Sequence, residues 1–290
     1  MRRLLAFAML AAVCLFAASV ARAQDVQVPS RVVAGTPASI PISGSGEATA
    51  YLFAPSHVAK RKVQLGQPIQ LSAEDVSGAG RYVLIVKGGG ADHAVSFFVT
   101  PGKVDSIAFL ARPSRVPAAR PGVISGSAYL FDAYQNLVLE PAAVSFDLTV
   151  AGAPPVSRRE MSKYGIAWTR TDSGRKEGAA QFVASVAGAS VRRIVQQVAS
   201  DPCTIRMRAQ RGNNGNIIVD TDPIRDCAGN AVPDGTIVTF TSVDAKGKST
   251  VDSRIKRGSA RAELPASDNA LISVAAGVIV GNEIRWRGAR

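Results

Sequence analysis

Apolar and polar residues alternate in many short stretches of the chain. From Ile205 to Gln210, and again from Ala260 to Leu264, every second residue is apolar. A period of two is typical of a β-strand with one buried face. Clusters of Gly, Pro, Asn and Asp separate such stretches, as turns do between short strands. No stretch after residue 23 has sustained helical periodicity, so the pattern predicts an all-β protein.

The most informative stretch runs from Asp226 to Phe240 and reads DCAGNAVPDGTIVTF. Its first half contains the turn-forming residues Gly229, Asn230 and Pro233, and Gly and Asn tolerate the positive φ that tight turns need. Its second half is β-branched and aromatic and alternates between two faces. We therefore predict a loop that leads into a half-buried strand.

The same pattern occurs upstream, where DAYQN runs from Asp132 to Asn136 and a strand-like segment ends at Phe146. In both copies the aspartate precedes the asparagine by four residues, and the asparagine precedes the phenylalanine by ten. The two aspartates are 94 residues apart. A period of this length predicts whole domains in tandem, each a small all-β unit.

The downstream copy resembles the signature of bacterial Ig-like domains of the invasin/intimin type (group 1). The matching residues are Asp226-x-x-Gly229-Asn230-x-x-Pro233 and then Val238-Thr239-Phe240. The resemblance covers about 204–287 and extends to about 104–198, where Gln135 replaces the glycine, but it does not reach 24–100. It implies antiparallel β-sandwiches that serve as stalks or adhesive modules on bacterial surfaces. The motif marks a fold and a turn and contains no catalytic residue.

The first 23 residues have the composition of a secretory signal peptide. Met1-Arg2-Arg3 is basic, the run from Leu4 to Val20 is apolar, and Ala21-Arg22-Ala23 fits a cleavage site. A retained membrane anchor is the alternative, because the apolar run approaches spanning length. We predict cleavage and export to the periplasm, the cell surface or the medium, and no membrane-spanning segment thereafter.

Two short linkers, 100–103 and 199–202, divide the remaining chain. At about 100 residues per sandwich, the length suits two or three domains. We predict three tandem immunoglobulin-like β-sandwiches, over 24–101, 102–199 and 200–290.

The first predicted sandwich contains the run D-x-x-G-x-G-x-Y, which begins at Asp75, includes Gly80 and ends at Tyr82. An apolar strand follows it. The run resembles the tyrosine corner of Ig-like sandwiches, in which the hydroxyl group bonds a loop to a strand.

Two cysteines, Cys203 and Cys227, remain after the leader. Export places them in an oxidising compartment, where an even pair favours a disulfide. The closed loop of about 24 residues would contribute about 3 kcal/mol of stability in the chain-entropy model. Two cysteines alone make an incomplete zinc site.

One group of oxygen-bearing side chains could bind Ca²⁺, namely Asp220, Asp222, Asp226 and Asn230. The spacing is not that of an EF-hand. Aspartates at these positions also form side-chain-to-backbone turns, and we favour that interpretation. No other cofactor is expected.

The chain carries a formal charge of +12. Export argues against nucleic acid as a partner and favours acidic polysaccharide, lipid headgroups or an anionic envelope surface. The alternative is that scattered Lys and Arg coat the outward strand faces. Neither a metal-hydrolase pairing nor a serine elbow is present, and we place His57 and His93 in solvated loops. An enzyme is therefore not expected.

The favoured hypothesis is an exported, non-catalytic bacterial protein with a structural or adhesive role, bound to an envelope or surface protein or glycan. A carbohydrate-binding module for an anionic polysaccharide is the second hypothesis, and it requires exposed aromatic rings beside arginines. Trp168 and Trp286 lie in core-like alternation, which counts against it. An envelope-assembly factor is the third, and it requires a long, exposed, apolar edge strand.

Overall fold

The structure, a computed structural model, describes residues 26–29, 31–88, 91–150, 152–213, 215–265 and 267–287. The predicted signal peptide lies outside these residues. Within them the regular elements are 22 β-strands and no helix, which confirms the all-β prediction. It follows that no described helix has the length and apolar character to cross a membrane.

The chain divides into two compact units. Unit 1 runs to Val104 and also contains Phe131–Val138, and unit 2 contains Asp105–Leu130 and the chain from Leu139 onward. The strands themselves fall into three successive groups along the chain, one in unit 1 and two in unit 2. The exact domain boundaries stay a prediction.

Seven strands build the sheets of unit 1. They are β1 (Val32–Val33), β2 (Ala38–Ile40), β3 (Glu47–Phe53), β4 (Val58–Gln64), β5 (Ile69–Leu71), β6 (Gly80–Gly88) and β7 (Ala91–Thr100). One sheet has the order β1-β7-β6-β3-β4, and β2 pairs with β5 in the other. Ile40 and Leu71 of the small sheet share one buried core with Leu52, Tyr82 and Phe97 of the large sheet. Both sheets therefore bury their apolar faces against each other, as a sandwich does.

Eight strands form the first sandwich of unit 2. They are β8 (Ser106–Arg112), β9 (Arg115–Pro117), β10 (Ile124–Phe131), β11 (Ala143–Val150), β12 (Val156–Met161), β13 (Ile166–Thr171), β14 (Gly178–Val186) and β15 (Ala189–Val198). The sheet orders are β13-β10-β8 and β12-β11-β14-β15-β9. Phe109 of the smaller sheet packs against Phe146 and Phe182 of the larger, with ring centroids 5.9 and 5.1 Å apart.

Seven strands form the second sandwich of unit 2. They are β16 (Met207–Arg211), β17 (Ile217–Thr221), β18 (Ile237–Asp244), β19 (Gly247–Arg254), β20 (Arg261–Leu264), β21 (Leu271–Ala276) and β22 (Ile279–Arg285). The sheet orders are β16-β17-β20 and β19-β18-β21-β22. The strands predicted near 207 and 262 are present. Val219 and Leu264 share a core with Val238 and Phe240 of the facing sheet.

The alternation of the sequence is the direct cause of these sandwiches. Strand β10 alternates between buried and half-buried residues along its whole length, and β13 alternates between exposed and buried ones. Full burial of one Val, Leu, Ile or Phe side chain contributes about 1.5–3 kcal/mol. A slip of one residue would turn these side chains to solvent, so the pattern also fixes the strand register.

Candidate functional site

The downstream motif forms a tight turn over residues 226–230, here called the Asp226 turn. Asp226 is 3% exposed. Its Oδ1 accepts hydrogen bonds from the backbone N–H groups of Ala228 (2.9 Å) and Asn230 (2.8 Å). Its Oδ2 accepts from Asn230 Nδ2 (2.8 Å) and from the N–H of Ser200 (3.1 Å) in the preceding linker. Gly229 has φ of +90°, which suits glycine.

Asn230, the last residue of the Asp226 turn, bonds to the other sandwich of unit 2. The N–H of Glu177 donates to Asn230 Oδ1 (3.1 Å), and Asn230 Nδ2 donates to the carbonyl oxygen of Arg175 (2.8 Å). Both partners belong to loop 172–177, which connects β13 to β14. One asparagine thus joins the two sandwiches by a donor and an acceptor on the same loop.

A buried glutamine fixes the shape of that loop. Gln197, at the end of β15, is fully buried. Its Oε1 accepts from the N–H of Gly174 (2.5 Å), and its Nε2 donates to the carbonyl oxygen of Lys176 (2.8 Å). Because a buried amide without partners is costly, these bonds constrain loop 172–177 to one conformation.

The two cysteines form the disulfide that the sequence predicts. Cys203 and Cys227 are bonded, with Cα atoms 4.6 Å apart. The N–H of Cys203 also donates to the carbonyl oxygen of Arg225 (2.9 Å). The disulfide therefore ties the linker between the sandwiches to the Asp226 turn.

The upstream motif forms an equivalent turn within unit 1, here called the Asp132 turn (132–136). Asp132 is 1% exposed. Its Oδ1 accepts from the N–H groups of Tyr134 (2.9 Å) and Asn136 (2.8 Å). Its Oδ2 accepts from Asn136 Nδ2 (2.9 Å) and from the N–H of Gly102 (2.8 Å). Gln135 takes the place of Gly229 and still adopts a positive φ of +63°.

Asn136 repeats the bonds that Asn230 makes. The N–H of Ala79 donates to Asn136 Oδ1 (2.7 Å), and Asn136 Nδ2 donates to the carbonyl oxygen of Ser77 (2.8 Å). These partners lie in loop 72–79, directly before β6. The two copies therefore share their hydrogen-bonding pattern as well as their sequence.

In unit 1 the contacted loop is supported by the predicted tyrosine-corner residues. The hydroxyl of Tyr82, in β6, donates to the carbonyl oxygen of Gly78 (2.8 Å), and the ring packs on Phe97. Asp75 accepts from Arg61 (2.6 Å) and from the N–H of Ser72 (2.7 Å). The remaining member, Gly80, begins β6 with a φ of +144°.

The carboxyl groups of both turns have pKa values below the ordinary 3.8. Burial alone would raise each pKa. The hydrogen bonds from Asn136, Gly102 and Tyr134 to Asp132 outweigh burial, and those from Asn230, Ser200 and the turn backbone do the same for Asp226. Both groups are therefore charged at neutral pH and act as hydrogen-bond acceptors.

The other motif residues have structural positions. Phe146 and Phe240 are buried in β11 and β18. The carbonyl oxygen of Pro233 accepts from the N–H of Thr236 (3.2 Å), which closes the turn before β18.

The candidate calcium ligands are engaged with separate partners. Asp220 lies 3.6 Å from Arg261, and Asp222 lies 3.0 Å from Arg208. Asp226 and Asn230 bond to each other as given above. No group of three or more His, Cys, Asp or Glu side chains with metal-binding geometry occurs in the part of the chain that the structure describes. The calcium site stays a prediction, because no such cluster of ligands supports it among the described residues.

The histidine placement needs one correction. His57 lies in a turn beside Ser56, as expected. His93, in contrast, belongs to strand β7, and its Nε2 is buried without a hydrogen-bond partner. The glycines before it suggested a loop, but the strand begins directly after them.

The core placement of one tryptophan is also wrong. Trp286 is half-buried against the core of its sandwich, whereas Trp168 is 55% exposed. In β13, Ile166, Trp168 and Arg170 share the outward face, while the intervening residues are buried. The sequence contains the signal for this exposure. Residues two apart in a strand point to the same face, so Trp168 must share the face of Arg170.

Trp168 lines an open hollow of about 540 Å³ on the outer face of the sheet β13-β10-β8. The hollow, here called the Trp168 hollow, is lined by Arg112, Pro113, Ser114, Val123, Ser125, Trp168 and Arg170. Ser125 is the cross-strand partner of Arg170, and its hydroxyl donates to the carbonyl oxygen of Arg112 (3.0 Å). The guanidinium groups of Arg112 and Arg170 form no ion pair with any described carboxylate.

Comparison with known proteins supports the fold. No family model matches the chain, and no curated protein matches it. A solved structure of FdeC, an Escherichia coli adhesin, superimposes with a TM-score of 0.58 at 14% identity, covering 89% of this chain and 94% of that one. Invasin, a bacterial integrin-binding protein, superimposes with a TM-score of 0.47 at 13% identity, covering 88% of this chain and 58% of that one. The likeness to FdeC shows that the fold is one of tandem Ig-like β-sandwiches.

Proposed function

We propose that this chain is an exported, non-catalytic bacterial protein with a structural or adhesive role at the cell envelope or surface. It acts as a stiff spacer that displays outward sheet faces and loops. The observation that carries the proposal is the Asp226 turn, in which buried Asp226 bonds to the linker and half-buried Asn230 bonds to loop 172–177 of the other sandwich.

The stiffness follows from the partners of this turn. If the sandwiches moved apart, Asn230 would lose both partners in loop 172–177. Bending would also separate Ser200 from the charged, buried Asp226. Loss of one bond to the buried charge of Asp226 costs about 1–3 kcal/mol, whereas water replaces part of what the half-buried Asn230 loses, so its bonds contribute less. A flexible hinge would instead place solvated Gly or Ser residues at this position.

The disulfide supports export. Cys203–Cys227 closes a loop of 24 residues, and disulfides persist in oxidising compartments. The predicted leader, 1–23, provides the route. A surface role also agrees with the adhesive use of the domain family that the Asp226 motif resembles.

The chemistry of the described carboxylates supports a non-catalytic role. A general acid or base acts best with a pKa close to the working pH. The pKa values of Asp75, Asp132 and Asp226 are instead lowered, and their oxygens already accept hydrogen bonds within turns and loops. These groups stabilise loops and are poorly placed for proton transfer.

The envelope-assembly alternative requires a long apolar edge strand. Strand β4 is an edge strand and carries Lys60, Arg61 and Lys62. Edge strand β12 carries Arg158 and Arg159. Charged edges of this kind resist the addition of another strand, so donation of these edges is disfavoured.

Fractionation of a bacterial host that produces the full chain tests the proposal. We expect a product that begins at Gln24, lies outside the cytoplasm and has no free thiol at Cys203 or Cys227. A matched variant, Ala21→Glu/Ala23→Glu, should keep its leader and leave the described residues unchanged. A chain with an intact Met1 and reduced cysteines in the cytoplasm would contradict the proposal.

A further inference from the structure

In the Trp168 hollow a large apolar side chain is exposed to solvent, and its exposed surface contributes nothing to the core of the sandwich. An aromatic side chain of this size usually buries about 150–250 Å² and strengthens a core. Trp168 is instead 55% exposed, and its neighbours on the same outward face, Ile166 and Leu110, are 38% and 44% exposed. An exposed aromatic surface beside polar groups marks an interaction site.

The rim of the hollow is positively charged. Arg112 and Arg170 are exposed and form no ion pair with the described carboxylates. Arg170 lies two residues from Trp168, about 7 Å along the strand. Ser125 pairs with Arg170 and bonds to the carbonyl oxygen of Arg112, so Arg112 lies two strands away at the level of Arg170. Two guanidinium groups therefore lie to the same side of one indole ring and remain available to an acidic ligand.

We propose that the Trp168 hollow binds an acidic saccharide, namely a uronic acid unit of a polysaccharide. The inference rests on the exported, adhesive role proposed above and names the ligand class of that role. The apolar face of a pyranose ring stacks on the indole, because its C–H groups are positively polarised and the ring face is negative. The sugar carboxylate accepts paired N–H bonds from a guanidinium, the geometry in which Arg surpasses Lys.

The polar lining fits this ligand better than it fits a protein. The hydroxyl of Ser114 can donate to or accept from a sugar hydroxyl, and that of Ser125, which donates to Arg112, can accept from one. A protein interface of ordinary size would need a broad, tightly packed apolar centre. The hollow instead offers one indole beside two charges, which is the scale of a single sugar unit.

Fluorescence titration of the full chain with oligogalacturonate tests the proposal. The chain contains two tryptophans, so a Trp286→Phe background leaves Trp168 as the only indole reporter. We expect saturable changes in Trp168 emission. We expect Arg112→Gln/Arg170→Gln to bind at least about tenfold more weakly. By calorimetry, Trp168→Ala should show the same loss.

Two controls separate the site from general charge attraction. Lys248→Gln/Arg254→Gln removes two exposed positive charges from β19 and should bind as the parent does. Methyl-esterified oligogalacturonate lacks the carboxylate and should not bind measurably.

Several outcomes would overturn the proposal. They are no binding of oligogalacturonate, equal binding by the hollow and control variants, equal binding of the methyl ester, or tighter Trp168-dependent binding of polyglutamate. None of them would alter where the chain is found on fractionation, so the two proposals can fail separately.

Discussion

The Asp132 turn and the Asp226 turn make the same hydrogen bonds in different surroundings. In each, a buried aspartate accepts four N–H groups, and an asparagine exchanges two bonds with a loop that precedes a strand. The contacted loops are supported differently. In unit 1 the hydroxyl of Tyr82 bonds to loop 72–79, and Asp75 within that loop bonds to Arg61. In unit 2 the amide of Gln197 bonds to loop 172–177.

The flanks of the two turns also differ. Unit 2 adds the disulfide at Cys227. In unit 1 the ring of Tyr134 occupies the space that a Cβ at Gly35 would need, and Gly35 has φ of +72°. The turn is thus the part that both copies share, and the groups that support it differ. This indicates that the hydrogen-bonding geometry is the feature that the architecture requires.

The largest expected effect is loss of either aspartate. Asp132→Ala and Asp226→Ala each leave four donors without their charged acceptor, and each should lower the free energy of unfolding by about 4 kcal/mol. Native-state hydrogen exchange should localise the loss to unit 1 for the first and unit 2 for the second. Asp252→Ala, an exposed carboxylate in β19, serves as the control and should change stability by less than about 0.5 kcal/mol.

The same aspartates predict a dependence on pH. Because their pKa values are lower in the folded than in the unfolded chain, their stabilisation is complete above the ordinary pKa of 3.8 and is lost as the pH falls through the lower folded value. In urea unfolding, Asp226→Asn should reduce the fall in the free energy of unfolding at acidic pH, here called the acid limb. An identical acid limb in Asp226→Asn would show that this carboxylate contributes nothing to it.

The disulfide should contribute the next largest effect, and to one unit alone. Cys203→Ser/Cys227→Ser removes the constraint on a loop of 24 residues and should lower the stability of unit 2 by about 3 kcal/mol. Hydrogen exchange in unit 1 should not change. An equal loss in both units would contradict a local role for the bond.

The side chains that support the two contacted loops, Gln197 in unit 2 and Tyr82 in unit 1, should contribute different amounts of stability. Gln197→Ala removes a fully buried amide and its bonds to the N–H of Gly174 and the carbonyl of Lys176, which lie in a part-buried loop, at a cost of about 2 kcal/mol. Tyr82→Phe removes one hydroxyl bond and keeps the ring, at a cost of about 1 kcal/mol. Urea unfolding measures both, and the reverse order would show that the tyrosine corner supports its loop more strongly.

The smallest effect concerns the residue with positive φ inside each turn. Gln135→Gly removes the strain of a left-handed conformation and should stabilise unit 1 by up to about 1 kcal/mol. The gain is no larger because glycine also raises the entropy of the unfolded chain. Gly229→Gln should destabilise unit 2 by about 1 kcal/mol. Thermal unfolding of the pair measures this difference, and shifts of the same sign would contradict it.

Local patterns are sufficient for most of the strands, the two Asp–Asn motifs and the cysteine pair, because alternation, turn residues and even cysteine number act within short segments. They fail for β12, where the sequence of residues 158–161 is compatible with a helical turn or a loop and forms a strand. The partners of the asparagines were not predictable. Asn136 bonds to residues 57 and 59 positions away, and Asn230 to residues 53 and 55 positions away. Such pairs depend on how complete sandwiches meet, which short-range periodicity does not encode.

The two misplaced side chains have different causes. Large apolar residues usually lie in the core, which favours a buried Trp168, but in a strand Trp168 must share the exposed face of Arg170. Glycines before His93 favour a loop, but a strand can begin immediately after a hairpin tip. In both cases strand geometry overrides a general residue preference.

Residual dipolar couplings from the full chain report whether the two sandwiches of unit 2 move as one body. If the Asp226 turn fixes the joint, β8–β15 and β16–β22 should have alignment tensors of equal magnitude and orientation in the native protein. The two tensors should diverge in Asn230→Ala. Tensors that already differ in magnitude in the native protein, or that stay equal in Asn230→Ala, would contradict the claim that the Asp226 turn fixes the joint.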